Sequence, residues 1–153
     1  MRRWRWPALA PPATGGNRVH GPSLLAASPC VRLELSEIVA YPSGMQLLLA
    51  LTATDISAQI ACHETRALTD RNDFSAHWSY LTVQIGVDDL HGEADPYCPV
   101  TTAAGSGTTT FYRTVPGYWI RTPTSGVVTL TAAWPLIGLE PITTTLGVAT
   151  VVE

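Results

Sequence analysis

The sequence predicts an all-β protein, an antiparallel β-sandwich of about six to eight short strands behind a disordered N-terminal leader. Three observations carry this. Residues 118 to 146 read YWIRTPTSGVVTLTAAWPLIGLEPITTTL, which is strand, tight turn, strand, corner and strand with no helical period. Only 14% of residues are charged while 46% are hydrophobic, so neutral polar groups must keep the surface wet. Threonine, abundant here, suits that task because its β-branch favours extended backbone and its hydroxyl accepts water or a neighbour. Finally, no internal repeat and no alternation of strands with helices is present.

Taken in order, residues 1 to 29 are rich in Pro, Gly, Ala and Arg, carry no acidic residue and lack hydrophobic period. They are expected to be a disordered leader, and residues 30 to 153 a single β-sandwich domain. Trp4 and Trp6 between arginines resemble a small membrane-surface or partner-docking element, set second to an unstructured leader. Pro7, Pro11 and Pro12 interrupt any signal-peptide core. No stretch reaches the length of a membrane span, so the cytoplasm is the expected location and no membrane partner is expected.

From Val31 the pattern changes. Val31, Leu33 and Leu35 alternate with polar residues, then the phase slips to Ile38 and Ala40, which predicts a bulge near Glu37. Tyr41-Pro42-Ser43-Gly44 is a turn. Met45 to Thr54 is apolar on both faces and reads as a central or covered strand. Residues 55 to 68 fit one helical turn or an irregular strand. Leu81, Val83, Ile85 and Val87 alternate as a strand, and Asp88 to Gly107 reads as a long loop. A strand from about Thr110 to Arg121 is expected to bend at Pro116-Gly117. Pro123 to Gly126 turns the chain, Val128, Leu130, Ala132 and Trp134 share one face, and Gly138 permits a corner before Ile142 to Leu146.

Four features from Leu33 to Leu146 resemble a family of small all-β proteins of high-GC Gram-positive bacteria that has no established activity. They are the Tyr41-Pro42-Ser43-Gly44 turn, the acidic-Gly segment Val87 to Gly92, the Gly/Ser/Thr run leading into an aromatic strand from Gly105 to Tyr118, and Trp134-Pro135-Leu136-Ile137-Gly138-Leu139-Glu140. The chain departs from that pattern at Arg121 to Ser125 and in the order of its acidic segment. The resemblance implies a β-sandwich and carries no catalytic residue.

All nine basic residues are arginine and the formal net charge is −3, which gives no electrostatic case for nucleic acid. Cys30, Cys62 and Cys98 are irregularly spaced, without a CxxC, and read as buried free thiols, ahead of a Cys62–Cys98 disulfide in an exported protein. No nucleophile elbow, phosphate cradle or metal-ligand spacing occurs, so no catalytic residue, cofactor or metal is assigned. The function expected is a non-enzymatic binding or scaffolding module for a protein partner or for itself. Its candidate binding residues are Tyr112, Trp119 and Arg121, with Asp88 and Asp89. The competing expectation is a loop-borne metal-binding protein or metal-dependent enzyme. It would use Cys62, His63, His77, Asp88, Asp89 and His91, with Glu93, Asp95 and Cys98 nearby.

Overall fold

The alternation that begins at Val31 builds a long hairpin of the computed structural model, which describes residues 2–64, 81–106 and 109–148. Strand β4 (Val31–Tyr41) pairs antiparallel with β5 (Gly44–Thr54). Its inward residues change from odd to even numbers across a register shift between Leu35 and Glu37, where the bulge was expected. The hairpin closes through Pro42 and Ser43. A Cβ on Gly44 would lie 2.6 Å from the Trp119 ring, so the close approach of that indole requires glycine there.

Three strands precede this hairpin: β1 (Arg2–Arg3), β2 (Asn17–His20) and β3 (Ser23–Ala27). After it, helix α1 (Asp55–Glu64) leads out of the sheet, burying Ser57, Ala58 and Ala61 while Ile56 stays exposed. Small residues on that face let the helix lie close to β5, to the strand Thr109–Ile120 and to the turn at Pro135–Ile137, and the Ser57 hydroxyl donates to the Ile137 carbonyl oxygen at 2.8 Å. The remaining strands are β6 (Thr82–Val87), β7 (Leu90–Glu93), β8 (Tyr97–Ser106), β9 (Thr109–Ile120), β10 (Val127–Trp134) and β11 (Leu139–Gly147).

Two sheets result. One has the order β1-β7-β6-β10-β11, the other β2-β4-β5-β9-β8, with β3 also on β4. β2 lies against Ile38 to Ala40, and β3 against Arg32 to Leu35, so both share one edge of β4. The apolar β5 is central in its sheet, between β4 and β9. Leu33, Leu35, Leu47, Leu49, Leu51 and Ile120 from one sheet meet Val83, Ile85, Val128, Leu130 and Trp134 from the other in a single buried cluster. The fold is therefore the expected all-β sandwich.

The structure departs from expectation in several places, one being α1, which runs for 10 residues where a single helical turn or an irregular strand was expected. Residues before 30, expected to be a disordered leader, place β1 on one sheet and β2 and β3 on the other. Backbone pairing rather than composition decides here, because edge strands need few apolar residues. The stretch from Asp88 to Gly107, expected as a long loop, contains all of β7 and β8. Asp88 adopts a positive φ of 53°, which closes a two-residue turn and returns the chain directly as β7. The irregularity expected at Pro116-Gly117 lies in β8 instead, between Tyr97 and Val100, opposite that segment of β9. Pro116 lacks an N–H to donate, and the partner strand takes up the mismatch. The sequence also allows a short edge piece at residues 148 to 152, of which 149 onward lies outside the described residues.

Candidate functional site

Sheet edges expose unpaired backbone groups and are managed with proline, bulges or cover. Here β11 carries Pro141 and β8 carries Pro99. β7 carries no proline, and its free side is filled by the N-terminal segment. Arg2 pairs with Leu90 and Arg3 with His91 in parallel, and Trp6 bridges Ala94. Trp4 N–H donates to the His91 oxygen at 2.9 Å, Trp6 N–H to the Glu93 oxygen at 2.9 Å, and Asp95 N–H to the Trp6 oxygen at 2.9 Å.

The side chains divide by the period of a strand. Trp6 turns inward, is only 4% exposed, and joins the core cluster, while its indole N–H donates to the Ile85 oxygen at 2.9 Å. Burying an indole with its one donor satisfied gains apolar burial without a desolvation penalty. Trp4 packs edge-on against it, with ring centroids 6.0 Å apart, and remains 41% exposed. Arg5 holds Asp95 through two bonds, Nε to Oδ2 at 3.0 Å and Nη2 to Oδ1 at 2.6 Å, with Glu93 3.6 Å away. The hydrogen bond that Arg5 donates to the Asp95 carboxylate raises the Arg5 pKa above its ordinary value. Being half exposed, the pair contributes on the order of 0–1 kcal/mol, and its planar fork fixes register more than stability.

Gly92 makes this docking possible. A Cβ there would lie 1.4 Å from the Trp4 carbonyl oxygen, so any other residue would exclude the segment. Beside the docked segment runs an open groove of about 850 Å³ lined by Arg3, Trp4, Arg5, Gln84, His91, Gly92 and Glu93. His91 also borders a second depression of about 430 Å³ over Gly86 and Thr129, which reaches Asp88 and Ser125.

The residues expected to bind are placed in three different settings. Tyr112, named as a candidate binding residue, is 1% exposed and packs edge-on against Trp134 at 5.9 Å in the core, so it is not available to bind. β9 sets its inward face on even-numbered residues, and Tyr112 falls in that phase with Tyr118 and Ile120. Trp119 is half-buried on the outer face, stacked at a tilt on Tyr41 at 5.7 Å. Arg121, Asp88 and Asp89 do come together, with Arg121 Nη2 lying 3.4 Å from Asp88 and 3.5 Å from Asp89. Asp88 also accepts the backbone N–H groups of Thr124 at 3.0 Å and Ser125 at 3.2 Å. These bonds, the one from Thr124 first, lower its pKa from 3.8 to about 2. The group pins the β9–β10 crossover to the β6–β7 turn.

Among the described residues, no three His, Cys, Asp or Glu side chains gather so as to hold a metal ion. Within the cluster considered for metal, Asp88 and Asp89 face Arg121, Asp95 faces Arg5, and His91 lies over Gly86. The side chains of Cys62, His63 and Cys98, and His77 altogether, lie outside the described residues. Cys30 is a free thiol. Burial, with the nearby charge of Asp95, pushes the Tyr118 phenol up and keeps it neutral.

Sequence reasoning missed Arg5 and Gly92, named Asp95 only beside the metal candidates, and set Trp6 second to an unstructured leader. The signal was present: Arg3-Trp4-Arg5-Trp6 alternates with period 2, the pattern of a half-buried strand. Comparisons with protein-family models, curated proteins and solved structures found no match. No helix among the described residues is long and apolar enough to cross a membrane.

Proposed function

We propose that this chain is a non-enzymatic binding module that recognises an extended peptide segment, of a protein partner or of itself, by strand addition at the β7 edge. The observation that supports it is the docked Arg2–Trp6 segment. It supports the reading through the contacts it makes: main-chain pairing along His91 to Asp95, a buried indole against Ile85, and an arginine on Asp95. Backbone bonds provide adhesion, while the Trp6 socket, the Asp95 fork and the room left by Gly92 provide specificity. The segment favoured is thus an extended Arg-Trp pair or a close chemical equivalent. A cytoplasmic setting and membership of the high-GC Gram-positive family belong to the same proposal, and cell fractionation checks the former.

The test is a peptide spanning Met1 to Ala8, titrated into the full-length chain carrying Trp6→Ala, whose own segment has lost its anchor. Saturable binding, weakened at least about tenfold when Gly92→Ala is added to that chain, is the expected result. Absence of binding, or binding indifferent to Gly92→Ala, overturns the proposal.

A further inference from the structure

Resting on the reading of the β7 edge as a strand-binding site, we propose that its partner is a second copy of this chain. Two copies exchange their Arg2–Trp6 segments, each completing the other's five-stranded sheet in a closed two-fold dimer.

The first support is that the segment is transferable. Its backbone and polar contacts fall on Ile85, His91, Glu93, Ala94 and Asp95, all on or beside β6 and β7. The same contacts form whether that edge belongs to its own chain or to another. Exchange is then neutral in contact energy, and protein concentration sets the balance.

The second support is the connection. Residues 7 to 16 form no strand, contain Pro7, Pro11 and Pro12, and end in Gly15-Gly16 before β2 joins the opposite sheet. Pro7 biases Trp6 toward extended backbone, and the prolines oppose a tight reversal. Ten residues, extended, reach roughly 33 Å. A chain of this length has a radius of gyration of about 15 Å, so the segment can reach the edge of a neighbour packed alongside. Charge agrees as well, since the segment brings Arg3 and Arg5 to an edge carrying Glu93 and Asp95.

The decisive experiment uses two full-length variants. Trp6→Ala has a free edge and a weakened segment, whereas Gly92→Ala has an intact segment and a blocked edge. By light scattering after size exclusion, the wild type should move from monomer toward dimer as concentration rises, and each variant alone should remain monomeric. Mixed one to one, they should form a heterodimer through a single engaged segment, dissociated by excess Met1 to Ala8 peptide. A wild type that stays monomeric at hundreds of micromolar, a Gly92→Ala chain that dimerises like wild type, or a mixture without heterodimer overturns the exchange. Peptide binding to the Trp6→Ala chain then separates the two ideas: if it persists, the edge binds strands but not those of a second copy, and if it fails, both are wrong. Should Trp6→Ala not fold, Arg5→Glu, placed against Asp95 and Glu93, takes its place in the mixture.

Discussion

A single carboxylate, Asp88, ties the crossover at Thr124-Ser125 to the opposite hairpin, and its depressed pKa makes that tie sensitive to acid. Because the folded pKa of about 2 lies below the ordinary 3.8, the unfolded chain binds more protons between those values. The stabilisation is therefore present above the unfolded pKa and lost as pH falls through the folded one. Denaturant midpoints of wild type and Asp88→Asn should differ at pH 6 and converge toward pH 2; a gap that stays constant would remove Asp88 from this role. Trp134 poses a different residue-scale question. It is fully buried, and its indole N–H has no hydrogen-bond partner among the described residues. An unpaired buried donor costs about 1–3 kcal/mol, so Trp134→Phe removes that cost while losing part of the ring volume. Urea titration should show Trp134→Phe within about 2 kcal/mol of wild type, against about 3–5 kcal/mol lost in Trp134→Ala. Equal losses would show that the N–H carries no penalty. Its place in the core was legible, because Val128, Leu130, Ala132 and Trp134 share one phase. The absence of a partner depends on what packs across the sandwich and was not.

Among the elements, the parallel segment on β7 is the least legible and the most consequential. The Pro- and Gly-rich composition around it concealed four residues of alternating pattern, since composition averaged over the first 29 residues outweighs so short a signal. The β6–β7 turn failed for a related reason: Asp88-Asp89 reads as loop polarity, and nothing in residue type announces that Asp88 will adopt positive φ. By contrast, the bulge in β4 was visible as a phase slip because one face of that strand is buried and the period is strict. The prediction at this scale concerns Gly92→Ala, which blocks the Trp4 carbonyl without changing β7 otherwise. Releasing the segment exposes Trp6, so tryptophan emission should shift to the red and stability should fall by about 2 kcal/mol, the scale of one large buried side chain. Unchanged emission and stability would mean that the segment is not held as described.

Over the whole molecule, the two sheets share one core, which argues that neither is stable alone. Leu47 and Leu49 of β5 find their apolar contacts in the same cluster as Ile85 and Leu130 of the facing sheet, and the chain crosses between sheets repeatedly. That much followed from strand period and turn chemistry, whereas sheet order did not, because which edges meet depends on contacts distant in sequence. A shared core predicts cooperative unfolding: amides of β5 and β10 should exchange with solvent only through the same global opening. The docked N-terminal segment stands apart, since it is short, parallel and, among the described residues, paired along its backbone on one side only. Its Trp4 and Trp6 amides should therefore exchange through a local opening of lower free energy, the motion that strand exchange would also require. Native-state hydrogen exchange over a denaturant series measures both. Separate plateaus for β5 and β10 would divide the sandwich into two independent units. Protection of Trp6 equal to the global value would leave the segment no route off its edge short of complete unfolding.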